Sequence, residues 1–386
     1  MPPLHLAMIP HLTELTGAPL THLEYAIRMA RDSRFRITFV VPGEGALTDR
    51  AREAGLEVKV VDNPPGGIAQ APGLLGKVAH VFRRRQARNL LAELLRELRP
   101  DAVFASSVVS VWPAMAAREA GIPCVYHLQE PAFSFPDTPA NRAKADTIAA
   151  ACRFIFTAPG SHAGMFAKSR QVEVHNAVDL GRYDLSRRSA CRSQLLREFS
   201  MPDDAIIVTS VASISKRKGT DHLWEASYDL FFRHPRLHIL AVGPDGGDAE
   251  FCERLRRLVA QSDFSERFLF LGPRDDVPEI LMGSDIFALP TLADAQPLAL
   301  IEAMAAGLPC VTTDVGDIPH MLLEGQIGFI LPADDLQSLQ VGIEKILDVP
   351  DVRRRYAEGV AARSRDFSYD HAMELVTGEL LREFGS

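Results

Sequence analysis

Short apolar runs alternate with helical patterns along almost the whole chain. The runs are continuously apolar instead of alternating with polar residues, and each is followed by a segment with helical spacing. This combination predicts parallel strands that are covered by helices on both faces of a sheet, and therefore an α/β protein. The runs are LHLAMIP, RITFVVP, LEVKVVD, DAVFASS, PCVYHLQE, RFIFTAP, AIIVTSVA, LHILAVGP, FLFLGP, DIFALPT and PCVTTD.

Two distant parts of the chain resemble each other. Residues 100–127 and 284–313 share an Asp-apolar-Phe-Ala strand, a polar loop, a helical pattern and the ending Ala-Gly-Ile/Leu-Pro-Cys-Val. The similarity predicts two doubly wound parallel-sheet domains. We place them at 1–180 and 181–365, with a last helix at 366–386 that packs back on the N-terminal domain. Ligands bind at the carboxyl ends of such strands, so the site is expected in a cleft between the domains.

The stretch DAQPLALIEAMAAGLPCVTTDVG, residues 294–316, predicts a loop, a helix and a strand. Pro297 suits the first helical position, and Gly307 ends the helix. Glu302 is the one polar side chain of this otherwise apolar helix. A buried carboxylate needs a partner. Glu302 therefore either forms an internal ion pair with an arginine or lysine, or accepts hydrogen bonds from the hydroxyls of a ligand.

Two other loops have the composition of anion sites. SISKRKGTDH, residues 213–222, places Lys216, Arg217 and Lys218 at the end of a strand, where they could bind a diphosphate or form a solvated basic loop. Thr220 is expected to cap the helix that follows. Gly17 follows the first strand at a helix start, which is an anion site or a plain turn.

Composition limits the class of protein. The 386 residues are 47% hydrophobic and 24% charged with a net charge of −8, which is typical of a globular protein and gives no reason to expect nucleic acid as a partner. The chain has neither a membrane-spanning apolar run nor a signal-peptide pattern. Five spread cysteines predict buried, reduced thiols in a cytoplasmic protein. No D-x-D pair of the kind that would hold a metal follows a strand.

The segment 65–99 combines a Pro/Gly loop with a helix that is basic at its start. It is either a peripheral membrane contact, with cations on anionic headgroups and leucines in the interface, or a mobile loop and a solvated helix face. The residues concerned are Leu74, Leu75, Lys77, Arg83, Arg84, Arg85 and Arg88.

An ordered set of motifs resembles the retaining glycosyltransferases of family four. It comprises TGAP, VHNAVDLGRYD, SISKRKGTDHLWEA, VGPDG, FLGPRDDVPEILMGSDIFALPT, DAQPLALIEAMAAGLPCVTTDVG, GFILPADD and FSYDHAM, and it is densest from about 205 to 335. The resemblance implies the GT-B fold, in which two Rossmann-like domains face each other across a cleft and a C-terminal helix crosses back. It also implies a nucleotide-sugar donor.

The resemblance also implies roles for individual residues. Glu302 would bind ribose hydroxyls, Asp294 would contact the transferred sugar, and Lys218 with Arg217 would bind the diphosphate. Asp294 is one methylene shorter than the family's usual glutamate, and Ser213 replaces an arginine that many members use for phosphate. The remaining donor-side residues implied are Gly17, Gly243, Leu271, Pro273, Gln296, Pro297, Leu298 and Ala299. The acceptor-side residues implied are His11, Thr16, His127 and Glu130.

For the reaction, the resemblance implies transfer from a nucleoside diphosphate sugar, with UDP favoured over GDP or ADP, to a hydroxyl acceptor with retention of anomeric configuration. Neither a protein nucleophile nor a metal is required. The acceptor itself is unknown: if the segment 65–99 is a membrane contact, a lipid-linked glycan follows, in bacterial glycan or glycolipid synthesis at the inner face of the membrane. Two alternatives remain open: a nucleotide-sugar epimerase or hydrolase of GT-B shape, and a non-catalytic protein that binds sugar nucleotides.

Overall fold

The chain divides into two compact units. The computed structural model describes residues 2–15, 17–63, 73–129, 135–159, 163–333 and 335–385. One unit comprises Met1–Asn176 with Ala372–Ser386, and the other comprises Ala177–His371. The limits at 180 and 365 that we expected from the sequence therefore lie within a few residues of the places where the chain passes from one unit to the other.

Among the described residues, the first unit is built on a seven-stranded parallel sheet with the order β3-β2-β1-β4-β5-β6-β7. Its central strands are buried along their whole length, as their continuous apolar runs require. The order reverses between β1 and β4, which makes this the switch point of the sheet. The strands are β1 Leu4–Ile9, β2 Phe35–Val41, β3 Glu57–Val60, β4 Ala102–Ser106, β5 Cys124–Leu128, β6 Cys152–Thr157 and β7 Gln171–Glu173.

The second unit, within the described residues, has a six-stranded parallel sheet with the order β10-β9-β8-β11-β12-β13. Here the order reverses between β8 and β11, which pair directly through Ile286 and Val208. Loops that leave the carboxyl ends of these two strands therefore flank the switch point. The strands are β8 Ile206–Val211, β9 Leu237–Val242, β10 Phe268–Gly272, β11 Ile286–Leu289, β12 Cys310–Thr313 and β13 Phe329–Leu331.

Helices cover the sheets, as the alternating pattern predicts. In the first unit they are α1 Gly17–Ala30, α2 Ala46–Glu53, α3 Gly73–Leu98, α4 Trp112–Ala120 and α5 Pro139–Ala149. In the second unit they are α6 Arg188–Glu198, α7 Thr220–Arg233, α8 Ala249–Ala260, α9 Val277–Gly283, α10 Leu298–Ala305, α11 Ile318–Met321, α12 Leu336–Asp348 and α13 Pro350–Arg363. The last helix, α14, is Tyr369–Phe384. The prediction of an α/β protein with two doubly wound parallel sheets is confirmed.

The C-terminal helix α14 begins in the second unit and continues in the first. Arg170, just before β7, forms ion pairs with Glu379 and Glu383, the latter at 3.4 Å. The ring of Phe384 stacks on Phe154 of β6 with centroids 6.4 Å apart. The last turns of the chain thus pack on the N-terminal sheet.

Two expectations need small corrections. The cysteines are free thiols, but Cys152 is partly exposed instead of buried because it begins β6 near the surface. Thr220 does not cap α7: Gly219 occupies the cap position, and the Thr220 hydroxyl accepts from the Ser215 N–H at 3.3 Å. Across the described part of the chain, no helix has both the length and the hydropathy needed to cross a bilayer.

Candidate active site

The carboxyl ends of β8 and β11 carry most of the residues predicted for the donor. The loop after β8 contains a short 3-10 helix, Lys216–Lys218, whose N-cap is Ser215. The Ser215 hydroxyl accepts from the Lys218 N–H at 3.3 Å. Gly219 follows with φ +67°, and a Cβ there would overlap the carbonyl oxygen of Pro290. Glycine therefore allows this loop to lie directly against the chain that leaves β11.

Lys218 and Asp294 form an ion pair between the two loops. Both side chains are largely shielded from water, with 16% and 15% of their area exposed. A charge in such a setting needs an opposite charge close by, because its hydration is lost. The pair fixes the ammonium and the carboxylate at the switch point, in the region where ligands of doubly wound sheets bind.

Arg217 fastens the same loops together through backbone groups. Its guanidinium donates to the Ala293 carbonyl oxygen at 2.8 Å, and its own carbonyl accepts from the Leu292 N–H at 2.7 Å. The side chain is exposed and its cation lies beside Lys218 in sequence. Lys218, held by its ion pair with Asp294, and Arg217, held by hydrogen bonds to the backbone, thus lie at the same edge of the sheet.

The loop that carries Asp294 is held from the other side by the turn after β12. Gln296 donates to the Asp317 carboxylate at 2.6 Å, and the Asp317 N–H donates to the Ala295 carbonyl oxygen at 2.7 Å. Gly316 has φ +57°, and a Cβ there would overlap the carbonyl oxygens of residues 294 and 295. The predicted donor residue Gln296 is 3% exposed, so its amide acts as a support for the loop.

The helix α10 begins one residue later than predicted. Pro297 has ψ 120°, which is extended, so it is the N-cap and not the first helical residue. Its carbonyl oxygen accepts from the Leu300 N–H at 3.1 Å. The N–H groups of Leu298 and Ala299 are the first of the helix and have no acceptor within it. Together with the helix dipole they form a partial positive charge four and five residues after Asp294.

Glu302 lies near Tyr183 and Arg182, which the sequence analysis did not name as its neighbours. Burial raises the pKa of Glu302, while Tyr183 and the charge of Arg182 act to lower it. The carboxyl group is therefore buried beside one neutral polar residue and one cation.

Residues predicted near the base lie at the ends of β9 and β10. Gly243 has φ +142°, and a Cβ there would overlap the Ala212 carbonyl oxygen, so β9 and the loop after β8 approach closely. The Gly243 N–H donates to the Gly272 carbonyl oxygen at 2.9 Å. Leu271 is half-buried in β10 and Pro273 is exposed just beyond it. Ser213, where many family members have arginine, accepts through its carbonyl from the Ser215 hydroxyl at 3.4 Å.

In the first unit, Gly17 and two histidines lie near the carboxyl ends of the strands. Gly17 begins α1 with φ +39°, is exposed, and has open space where a Cβ would stand. Burial lowers the pKa of His11 to about 4 and that of His127 to about 3. His127 is completely buried and its ring stacks on Tyr25 at 5.6 Å. The predicted acceptor-side residues Thr16 and Glu130 lie outside the described residues.

The sequence missed Tyr183 and Arg182, which follow the first loop of the second unit. They belong to the motif VHNAVDLGRYD, which was used only to place the domain boundary and to identify the family. Asp317 was missed as well. The signal available for it was an acid directly after the Val315-Gly316 turn that follows β12, which is common in turns and indicates no specific role.

The fold and the site together define a class of protein: two Rossmann-like parallel-sheet domains, with a cation, a carboxylate and a free helix N-terminus at one switch point. Models of two protein families match the chain. The glycosyl transferase 4-like domain matches residues 17–212, and glycosyl transferases group 1 matches residues 192–363. The chain belongs to the family-four glycosyltransferases, which have the GT-B fold, and it is a glycosyltransferase.

Similar proteins include named glycosyltransferases of bacteria. The UDP-Gal:alpha-D-GlcNAc-diphosphoundecaprenol alpha-1,3-galactosyltransferase of Escherichia coli is 26% identical over 366 residues, or 89% of this chain and 87% of that protein. The D-inositol 3-phosphate glycosyltransferase of Mycolicibacterium smegmatis is 28% identical over 218 residues, or 56% of this chain and 48% of that protein.

Solved structures show the same fold. Anabaena Alr3699/HepE in complex with UDP has a TM-score of 0.81 at 20% identity, with 98% of this chain and 99% of that chain covered. WaaG, a glycosyltransferase involved in lipopolysaccharide biosynthesis, has a TM-score of 0.68 at 16% identity, with 96% and 99% covered. These likenesses support the GT-B architecture predicted from the sequence.

Proposed function

We propose that the protein transfers a sugar from a UDP-sugar to a hydroxyl of a lipid-linked glycan, with retention of anomeric configuration and without a metal. The observation that carries the proposal is the shielded Lys218–Asp294 pair at the switch point, directly before the N-terminus of α10. The arrangement offers a diphosphate both a full positive charge and unpaired backbone donors.

In this proposal each group binds one part of the donor. Lys218 and Arg217 bind the diphosphate together with the N–H groups of Leu298 and Ala299. Asp294, held by Lys218, accepts from a hydroxyl of the transferred sugar. Glu302 accepts from the ribose hydroxyls. The choice of UDP is supported by two similar proteins, one with UDP-Gal in its name and one solved with UDP.

The chemical step then needs little from the protein beyond charge stabilisation. The acceptor hydroxyl attacks the anomeric carbon on the face from which the diphosphate departs. The bond from that carbon to the phosphate oxygen breaks, and the hydroxyl proton passes to the departing phosphate. The cations of Lys218 and Arg217 and the α10 N–H groups offset the charge that develops there. These groups supply the role that a divalent metal has in other transferases.

A lipid-linked acceptor is supported by the outer face of α3. Leu75 is 87% exposed and Phe82 is 65% exposed, and with the exposed Val78 they follow the i, i+3, i+7 spacing of one helix face. Farther along, Ala87 and Leu91 are buried in the core instead.

The cations predicted for the membrane contact differ in their surroundings. Arg83, Arg84 and Arg85 are exposed, whereas Arg88 lies 3.6 Å from the Glu119 carboxylate; the side chains of Leu74 and Lys77 lie outside the described residues.

An apolar face flanked by arginines matches the interface of an anionic bilayer, where apolar side chains enter and cations bind headgroups. We propose that α3 holds the enzyme at the inner face of the membrane. In a sedimentation assay, the protein should pellet with vesicles of anionic phospholipid and should stay in the supernatant with neutral vesicles. Phe82→Ser should reduce binding, and Phe232→Ser, at a 63% exposed phenylalanine of the second unit, is the matched control. Equal binding by both variants would contradict this contact.

Turnover tests the function itself. The protein is incubated with UDP-galactose, UDP-glucose or UDP-N-acetylglucosamine, with and without N-acetylglucosaminyl-diphosphate-lipid as acceptor. The proposal predicts that UDP release depends on the acceptor and that NMR of the product shows the anomeric configuration of the donor. Release of UDP without acceptor would favour a hydrolase, and donor binding without release under any condition would favour a binding protein.

A further inference from the structure

Residue 317 joins the turn after β12 to the loop that carries Asp294. The Asp317 carboxylate accepts from the Gln296 amide at 2.6 Å, and the Asp317 N–H donates to the Ala295 carbonyl oxygen at 2.7 Å. One bond is made by the side chain and the other by the backbone, and both join the same two segments. The turn therefore fixes the loop immediately after Asp294.

The Asp317 side chain holds this loop instead of capping its own helix. Asp317 is the N-cap of α11, a position where aspartate commonly accepts from an N–H of the first turn. Within the described residues, its carboxylate makes no such bond. One carboxylate oxygen accepts from Gln296, and the other lies 3.5 Å from the His320 ring. The usual local role of the aspartate is thus replaced by a contact with a loop 21 residues away.

Both partners of the Gln296–Asp317 hydrogen bond are shielded from water. Gln296 is 3% exposed, and 12% of the Asp317 side chain is exposed. A hydrogen bond to a charged group contributes more than one between neutral groups, and a partner lost in a shielded place is not readily replaced by water. A Cβ at Gly316 would overlap the carbonyl oxygens of residues 294 and 295, so the turn also lies directly against the loop.

The position of the Asp294 carboxylate depends on this support. An aspartate has only two side-chain torsions, so its carboxylate follows most movements of its backbone. Lys218 pairs with the carboxylate itself, whereas Asp317 and Gly316 hold the backbone that carries it. A displacement of about 1 Å is enough to make a binding group ineffective.

We propose that Asp317 is a positioning residue for the transferred sugar: through Gln296 and the Ala295 carbonyl group, it holds the backbone that places the Asp294 carboxylate against a sugar hydroxyl. This inference rests on the proposed function, in which Asp294 binds the transferred sugar. It assigns Gln296 to the support of the site instead of to direct contact with the donor. Loss of the pair should therefore impair binding of the sugar part of the donor more than binding of UDP.

The test exchanges the two partners of the hydrogen bond. Gln296→Glu places a second carboxylate at hydrogen-bond distance from Asp317, so the two charges repel each other and displace the loop. Adding Asp317→Asn restores the bond with donor and acceptor exchanged, because an amide then faces a carboxylate. Isothermal titration at about pH 8, where carboxyl groups are ordinarily ionised, measures Kd for UDP and for UDP-galactose, UDP-glucose and UDP-N-acetylglucosamine.

The ratio of Kd for the UDP-sugar to Kd for UDP isolates the sugar contact. Gln296→Glu should raise this ratio about tenfold, and the double variant should return it close to the wild-type value. The added negative charge alone would lower the ratio, since UDP carries more negative charge than a UDP-sugar and would be repelled more. Gln171→Glu is the matched control and should leave the ratio unchanged, because that amide donates to the Phe166 carbonyl oxygen at 2.9 Å in the first unit.

Asp294→Asn separates the inference from the proposed function. It should raise the same ratio, because it removes the charge that accepts from the sugar. An unchanged ratio in this variant would overturn the sugar role of Asp294, and the inference with it. If Asp294→Asn raises the ratio but Gln296→Glu does not, or if the double variant resembles Gln296→Glu alone, the positioning role of Asp317 is wrong while the proposed function stands.

Discussion

The two units share an architecture but treat polar groups at their strand ends in opposite ways. In the second unit, Lys218 and Asp294 keep their charges by pairing. In the first unit, His127 near the end of β5 and His22 of the helix α1 are completely buried, and both nitrogens of the His127 ring have no hydrogen-bond partner among the described residues. Burial of this kind favours neutral imidazole. The comparison shows that one doubly wound sheet can present charge for a charged ligand while the other keeps its histidines neutral.

The largest effect should come from removing the charge of the second unit. Lys218→Ala should lower kcat/KM by about 10²–10³-fold, because the departing diphosphate loses its ammonium and Asp294 loses its partner. Steady-state kinetics with the UDP-sugar measures this. Lys216→Ala removes an exposed cation from the same 3-10 helix and is the control. Similar kinetic constants for both variants would show that the loop contributes only general positive charge and that Lys218 has no specific role.

A pair of glycine substitutions sharpens the contrast between the units. Gly219→Ala should lower the free energy of unfolding by at least about 3 kcal/mol, because its Cβ would overlap the Pro290 carbonyl oxygen and its φ is positive. Gly17→Ala also has a positive φ but open space around the new Cβ, so it should cost about 1–2 kcal/mol. Urea unfolding of both variants measures the difference. Equal costs would contradict the close approach of the loops at Gly219.

Acid should destabilise the first unit through its histidines. Burial lowers the pKa of His22 and His127 to about 3 and that of His11 to about 4, so the unfolded chain binds protons first. The stability that these neutral histidines contribute is complete above pH 6.5 and is lost as the pH falls toward 3. In this range each histidine should lower the free energy of unfolding by about 1.4 kcal/mol for each pH unit of acidification.

Hydrogen exchange at pH 7 and pH 5 can follow each unit separately. Protection should fall more in the first unit than in the second. His127→Leu should make the pH dependence of the first unit shallower, since one titrating group is removed. An unchanged slope in that variant would show that His127 is not the group that binds the proton.

The smallest effect should follow the removal of divalent metal. If Lys218, Arg217 and the α10 N–H groups offset the diphosphate charge, turnover should be unchanged by excess EDTA and by added Mg²⁺. Initial rates with the UDP-sugar measure this. A loss of turnover in EDTA that Mg²⁺ restores would contradict the metal-free part of the proposal.

Much of the fold was predictable because its signals are local. Continuous apolar strands and helical spacing require only neighbouring residues, and they gave the two doubly wound sheets. The three-residue strand β13 was not predicted, because so short a run has no periodicity. The start of α10 was predicted one residue early, since proline suits both the first helical position and the extended N-cap, and the choice depends on ψ.

The candidate site was less predictable because its contacts join distant parts of the chain. Lys218 and Asp294 are 76 residues apart, and the resemblance to the family named both without indicating that they pair. Tyr183 packs with residues of α10, the helix that carries Glu302, only because the segment after residue 178 folds against that helix. Arg88 was grouped with the membrane cations, but Glu119 on the neighbouring helix α4 pairs with it. Such pairings follow from tertiary packing and leave no pattern in either segment alone.

The central claim is that the switch point of the second unit binds the UDP part of the donor. The most direct test is titration of UDP into the wild-type protein, Lys218→Ala and Glu302→Gln, with Lys216→Ala as the control. The account predicts that UDP binds the wild-type protein and the control alike, and that each of the other two variants weakens binding at least about tenfold. Equal UDP affinity in all four proteins would contradict it and would place the nucleotide elsewhere.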